Sequence, residues 1–278
     1  MQITSEVKRK WDFDRLDPTQ QETIVKMIAD DNLTGSNAAV ESVSTPRTIY
    51  TVFFKRLLDI LISLIALIVF LPINLIIGII TMFDVGFPIF FGQERIGRKN
   101  KVFKLYKFRN MTNKTDENGL LLPADERVTK WGKFVRKTSL DELLNFWSIF
   151  KGDMSLIGPR PLPVVYKGRF NKYHESRHLV RPGLDCPLHD PSMGYMTWKN
   201  RLDNDVWYVE NVSFKTDCKM IFLLFKETFF GAEKKSRADG GSEGTFMGYD
   251  ENGEVMNSFE IPEKYFIAAL GEDENADL

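Results

Sequence analysis

Residues 60–83 read ILISLIALIVFLPINLIIGIITMF, an apolar run without a formal charge and with Pro72 at its centre. It is about as long as a bilayer-crossing helix, which needs roughly 20 such residues. Lys55 and Arg56 precede it, and Arg95, Arg98, Lys99, Lys101, Lys104, Lys107 and Arg109 follow. A spanning helix concentrates Lys and Arg on its cytoplasmic side, whereas here both flanks are cationic. Pro72 lacks a backbone donor and crowds the preceding turn, so the helix is predicted to kink or break there. Each arm is then about 12 residues, or roughly 18 Å, too short to cross a hydrocarbon core of ~30 Å. Ser63 and Asn74 can satisfy backbone groups near the break. The expectation is a re-entrant hairpin that enters and leaves by the cytoplasmic face. One kinked spanning helix is the alternative. A soluble core helix is disfavoured, because the run is apolar on every face.

At 278 residues the chain has room for one sizeable domain with appendages. The formal net charge of -1 averages over a strong asymmetry. The stretch from Arg95 to Lys137 is rich in Lys and Arg, while beyond Arg237 only Lys264 is basic. Cations beside a membrane segment point to anionic lipid or a phosphorylated substrate; a solvated face that merely sets orientation is the plainer reading. Cys186 and Cys218 have no metal-type spacing and read as reduced thiols. The polar N-terminus and late apolar run do not fit a signal peptide.

Four regions are predicted: a polar extension over 1–50, a membrane hairpin over 51–86, an interface-seated catalytic domain over 87–231, and an acidic extension over 232–278. Asp17-Pro18 opens a predicted helix through about Asp30, with Ile24, Met27 and Ile28 on one face, and Gly35 to Pro46 reads as a linker. Phe103 to Phe108 suits a short strand or an interfacial segment, and 112–125 a loop. A helix is predicted from Ser139 to a glycine cap at Lys151-Gly152, and another over 162–180. Residues 217–230 suit an amphipathic interfacial helix or an ordinary core-facing one. Ser236 to Gly244 reads as a linker, Phe246 to Met256 as a hairpin turning at Asn252-Gly253, and the acidic end as disordered.

Thr138-Ser139-Leu140-Asp141-Glu142 carries the clearest chemical pattern, following Arg136-Lys137. Cations and a helix N-terminus would keep Asp141 ionised. Such a carboxylate can attack phosphorus, while its neighbour helps hold Mg²⁺ on phosphates. Locally the same residues also match a capping box, Ser139 with Glu142, and Thr138 with Asp141 offers a second register. In Gly158-Pro159-Arg160-Pro161, two prolines stiffen the backbone around one guanidinium, a good phosphate ligand. His174 and His178 would share a helical face, but without a third ligand they are weak metal candidates.

Together these pieces resemble a known family. KRLLD at 55–59, Pro72, QERIGRKNKVFKLYKFRNM at 93–111, ERVTKWGKFVRKTSLDE at 126–142, KGDMSLIGPRP at 151–161, RPG at 181–183 and DVWYVEN at 205–211 resemble, in order and spacing, bacterial sugar transferases of the monotopic phosphoglycosyl transferase class. The resemblance implies an α-rich α+β fold anchored by a re-entrant helix–break–helix, with interfacial amphipathic helices. It implies transfer of a phospho-sugar from a UDP-sugar to polyprenol (undecaprenyl) phosphate with release of UMP, the initiating step of a surface glycan. Asp141 is the implied nucleophile, with Glu142 supporting Mg²⁺. Phosphate contacts are expected at Arg160, Arg136, Lys137, Arg95 and Arg109. The implied partners are the UDP-sugar, the polyprenol phosphate and the cytoplasmic face of a bacterial inner membrane, with downstream glycosyltransferases and no nucleic acid. Leu184 to Trp198 depart from the stretch many relatives carry after RPG, and neither extension is covered, so the chain reads as a short form with added tails. A non-catalytic, membrane-anchored scaffold that binds anionic lipid through the basic middle and a protein partner through the acidic C-terminus is the rival reading.

Overall fold

The computed structural model describes residues 11–117, 119, 121–194, 196–230 and 244–270. In chain order the elements are α1 (Pro18–Ala39), α2 (Lys55–Val85), β1 (Phe90–Ile96), β2 (Val102–Phe108), α3 (Ala124–Arg127), α4 (Lys130–Lys137), α5 (Asn145–Lys151), β3 (Ser155–Ile157), α6 (Lys172–Glu175), β4 (Gly183–Asp185), α7 (Trp198–Asn211), α8 (Phe214–Phe230), β5 (Phe246–Tyr249), β6 (Val255–Asn257) and α9 (Glu263–Leu270). The fold is helix-rich, with three two-stranded sheets among the described residues.

The apolar run forms the long helix α2, prefaced by a wider turn at Tyr50–Phe54. Pro72 lies inside a continuous helical element, so the chain does not divide there into two arms separated by a non-helical break. Ile62, Ile65, Ile68, Val69, Leu75, Ile76, Ile79 and Phe83 are all exposed. Only a stripe through Asp59, Ser63, Ala66, Ile77, Gly78 and Thr81 is buried. That stripe follows helical periodicity and seats one face of α2 on the protein.

Polar anchors hold both ends of α2 to the same body. At the start, Lys55 Nζ lies 2.6 Å from Asp217 Oδ2 of α8 and donates to the Ile157 carbonyl. Arg56 donates to the Ile149 and Phe150 carbonyls at 2.6 and 2.8 Å. Asp59 accepts from Ser155 Oγ and Leu156 N–H, both at 3.0 Å. At the far end, Asp84 accepts from Thr129 Oγ1 at 2.5 Å, and Trp131 Nε1 donates to Thr81 Oγ1. Midway, Phe70 stacks on Phe146 of α5. Phe214, Ile221, Phe222 and Phe225 of α8 are exposed, and Phe214 meets Tyr50 edge-on beside the start of α2.

The strand expected near Phe103 to Phe108 is present as β2, antiparallel to β1 in unbroken register from Phe90↔Phe108 to Ile96↔Val102. The single helix predicted over 162–180 is not. Short turns at Val164–Tyr166 and Ser176–Leu179 flank α6 instead, and Gly168 at φ +86° interrupts the helical path. The helix predicted from Ser139 begins as a 3-10 turn (Leu140–Leu144) and becomes α-helical at Asn145. Gly152 at φ +101° ends it, as glycine at that position favours.

The extensions fold against each other. α1 runs on to Ala39, nine residues past the predicted end and into the presumed linker, because Leu33 and Ser36 face the protein rather than water. Asp17 and Gln20 cap its start reciprocally. Ile24 and Ile28 of α1 pack with Trp11, Phe13, Met247, Met256, Tyr265 and Phe266 in one core. The β5–β6 hairpin turns where Asn252-Gly253 predicted it, with Gly253 at φ +80°. It also continues into the catalytic body: Phe246 and Tyr249 share a core with Ile96, Leu162, Phe170 and Trp198. The predicted linker over 236–243 and the acidic end from 271 lie outside the described residues.

Candidate active site

The site begins with two backbones pressed together. β3 and β4 pair in parallel, Ser155↔Gly183 and Ile157↔Asp185, which lays the GPRP stretch against RPG. Gly183 N–H donates to the Pro159 carbonyl at 3.0 Å. A Cβ on Gly183 would overlap the Gly158 backbone, and one on Gly158 would overlap the Arg181 carbonyl, so only glycine permits this approach. Arg160 leaves the crossing with its path fixed. Its carbonyl accepts from Arg177 Nη2 at 2.8 Å, and Arg177 is buried in an ion pair with Asp205 at 2.7 Å.

From there Arg160 Nη2 reaches Glu142 Oε1 at 2.6 Å, and Nη1 donates to the Leu184 carbonyl at 3.0 Å. Lys107, projecting from β2, completes the group. Its Nζ lies 3.3 Å from Glu142 Oε1 and 3.9 Å from Asp141 Oδ2. Two carboxylates and two cations therefore converge at the 3-10 turn that opens α5. Lys107 was legible only as one cation in a basic stretch; the β1–β2 hairpin brings it across 34 positions to Asp141.

The two carboxylates are tuned apart. Burial raises Asp141 above the ordinary carboxylate range; Lys107 opposes the rise and the Glu142 charge adds to it. Burial also pushes on Glu142, but Arg160 and Lys107 outweigh it and hold that carboxyl low. The expectation that helix end and cations would dominate at Asp141 is thus corrected: the group is 6% exposed and desolvation wins. The predicted capping box is absent as well. Ser139 adopts a left-handed conformation and makes no side-chain cap, because the Glu142 carboxylate is drawn to Arg160 and Lys107.

The other expected phosphate ligands are placed unevenly. Arg136 is exposed, donates to Asn110 Oδ1 at 2.9 Å and lies within the electrostatic reach of Asp141; Lys137 beside it is exposed. Arg95 is buried and bonded to the Pro161 carbonyl and Gln93, behind Arg160. Arg109 donates to the Phe87 carbonyl near the far end of α2. His174 and His178 do not converge: His174 lies between Tyr249 and Asp203, while both ring nitrogens of His178 are buried without a partner.

Among the described residues no three acidic, His or Cys side chains gather as metal ligands. Asp141 and Glu142 are the carboxylates there that could hold Mg²⁺, a cation commonly held by one or two carboxylates plus substrate phosphates. Aromatic side chains border the turn on both sides: Phe134 and Trp147 are exposed, and Phe146 meets α2.

The family model described as bacterial sugar transferase matches residues 50–231. The uncharacterized sugar transferase EpsL of Bacillus subtilis (strain 168) is 38% identical over 173 residues, covering 62% of this chain and 86% of its own. The UDP-N-acetylgalactosamine-undecaprenyl-phosphate N-acetylgalactosaminephosphotransferase of Aeromonas hydrophila is 34% identical over 197 residues. The match covers 67% of this chain and 46% of that protein. The UDP-glucose:undecaprenyl-phosphate glucose-1-phosphate transferase of Klebsiella pneumoniae is 36% identical over 184 residues, covering 62% and 40%. The chain thus matches most of EpsL but less than half the length of the other two. Over residues 50–231, the stretch that contains the Asp141 cluster, this chain belongs to the bacterial sugar transferase family.

Proposed function

We propose that the protein transfers a sugar phosphate from a UDP-sugar to undecaprenyl phosphate or a similar polyprenol phosphate, through a covalent intermediate on Asp141. The convergence of Asp141, Glu142, Lys107 and Arg160 at one turn carries this reading. In the first step an Asp141 carboxylate oxygen bonds to the phosphorus that bears the sugar, and the bond from that phosphorus to the bridging oxygen of UMP breaks. UMP departs as an anion. In the second, an oxygen of the polyprenol phosphate attacks the same phosphorus, the acyl-phosphate bond breaks, and Asp141 returns as a carboxylate. The product is a polyprenol diphosphate sugar.

The chain's own groups have distinct tasks. Arg160 presents a fixed fork suited to phosphate oxygens. Lys107 favours the ionised form of a buried nucleophile and lies where charge accumulates at phosphorus. Arg136 and Lys137 form a cationic rim, which suits the approach of a polyanion. Asp141 and Glu142 would hold Mg²⁺, which when bound neutralises phosphate charge.

The membrane placement belongs to the same proposal. A spanning helix has ends about 30 Å apart across hydrocarbon, but polar groups of a single body hold both ends of α2. The reading is a monotopic protein whose helix, unbroken but bent at Pro72, dips into the inner membrane from the cytoplasmic face and returns, with the Pro72 region deepest. Exposed apolar residues of α8 and aromatic groups around the active-site turn lie at headgroup level, so Asp141 meets a lipid phosphate and a soluble nucleotide sugar in one place.

The test is UMP release from a panel of UDP-sugars with undecaprenyl phosphate. At least one sugar should support acceptor-dependent release, and Asp141→Asn should abolish it while remaining membrane-bound. Substantial activity in that variant would remove Asp141 as nucleophile.

A further inference from the structure

A second cationic cluster stands at the opposite end of α5 from Asp141 and Glu142. Arg56 places two nitrogens on the Ile149 and Phe150 carbonyls. Arg181 Nε donates to the Gly152 carbonyl at 2.9 Å. Arg98 Nε donates to the Leu179 carbonyl at 3.0 Å, two residues before Arg181. The Arg56 guanidinium lies so close to Gly152 that a Cβ there would stand 3.1 Å from Nη2.

Each guanidinium has five donors, so most N–H groups of the three are not committed to these carbonyls. Among the described residues none of the three has a carboxylate within ion-pair distance; Lys55 has taken Asp217, and Lys151 has taken Asp153 at 2.6 Å. Asp59 contributes one negative charge to the field of Arg56 and Arg181, leaving an excess of cation. Burial, then the Arg98 and Arg56 charges, lower the Arg181 pKa, as expected for like charges held close without a counter-ion. Capping of the α5 C-terminus accounts for Arg56 and Arg181; it does not account for Arg98, which binds a different segment and is exposed.

We propose that Arg56, Arg98 and Arg181 form an anion site, separate from the Asp141 cluster, that binds a phosphate group at the edge of the apolar surface. Leu57 follows Arg56 and is exposed at the head of the apolar run, so the cluster faces the headgroup level. Either an acidic lipid headgroup or a free phosphate supplies the same chemistry. The site does not rest on the transfer reaction, and its test involves no turnover.

Full-length protein in a non-ionic detergent is heated with dihexanoyl-phosphatidylglycerol, dihexanoyl-phosphatidylcholine or inorganic phosphate at matched ionic strength. Saturation should raise the unfolding midpoint by roughly 3–6 °C. A rise with the glycerol lipid but not the choline lipid or inorganic phosphate identifies a lipid headgroup site. An equal rise with inorganic phosphate identifies a free-phosphate site. In either case Arg98→Gln should weaken the apparent affinity about tenfold or more, and Arg181→Lys, which keeps a donor to Gly152, should weaken it too. No rise with either anion overturns the proposal, as does a rise unchanged in both variants.

Discussion

Lys107→Met separates the role of the bridging cation from that of its side-chain volume. Lys107 Nζ lies 3.9 Å from Asp141 Oδ2 and 3.3 Å from Glu142 Oε1. At 4 Å two unit charges interact by ~4 kcal/mol at an effective dielectric of ~20. Sharing with Glu142 and partial solvent access to Lys107, whose side chain is 23% exposed, reduce the usable part to about 2 kcal/mol. That corresponds to roughly 30-fold in rate near neutral pH. The sign of the pH effect is fixed. Asp141 must be ionised to attack, burial already raises its pKa, and Lys107 is the main group opposing the rise. Removing Lys107 lifts that pKa further, so the acidic limb of kcat/KM against pH should move to higher pH. The defect should be larger at pH 6 than at pH 9, and Lys107→Arg should restore most of it. The assay is initial-rate UMP release across that range. A Lys107→Met profile that superimposes on the wild type refutes any electrostatic role, and one that falls by the same factor at every pH refutes the effect on Asp141 ionisation.

Other outcomes follow from particular contacts. Arg160→Lys keeps the charge but loses the fork that joins Glu142 to the Leu184 carbonyl; UMP release should drop about 10–100-fold, and wild-type rates would show that the fork is dispensable. Asp217→Asn leaves Lys55, whose side chain is only 12% exposed, without its counter-charge, so denaturant titration should show a loss of ~3 kcal/mol; an unchanged midpoint would mean that the N-terminal anchor of α2 contributes little. Phe246→Ala should cost ~3–5 kcal/mol, because the ring is fully buried against Phe170 and Trp198; a neutral result would make the C-terminal hairpin a detachable appendage. His178 is buried with its pKa lowered to about 3 by desolvation and then by Arg177. The unfolded chain therefore binds a proton that the folded one excludes, and this contribution to stability is lost as pH falls from about 6.5 toward 3. His178→Gln should flatten that slope in urea titrations, and an unaltered slope would assign it to other groups.

Features carried by local pattern were legible in the sequence. The apolar run, the Gly152 cap and the Asn252-Gly253 turn each follow from a few adjacent residues, and all three are present. Asp141, Glu142 and Arg160 were singled out; Arg160 does pair with Glu142, and Lys107 joins that pair to Asp141. What escaped notice depends on distant segments meeting. Lys107 becomes a site residue only because β2 packs beside the 140–144 turn, and Arg177–Asp205 supports Arg160 through an ion pair between separate elements. Capping at Ser139 was a sound local expectation that lost to stronger partners for Glu142. The co-folding of the two extensions was likewise unreadable, since neither alone carries enough apolar surface for a core: Ile24 and Ile28 need Met247, Met256 and Phe266 from the other end of the chain.

The most direct test is mass spectrometry of the protein quenched after reaction with a UDP-sugar in the absence of polyprenol phosphate. Tryptic cleavage isolates residues 138–151, which hold Asp141 and Glu142. This peptide should gain the mass of one sugar phosphate, fragmentation should place it on Asp141, and added polyprenol phosphate should remove it. UMP formation that requires polyprenol phosphate from the outset, with this peptide never modified, would contradict the covalent mechanism.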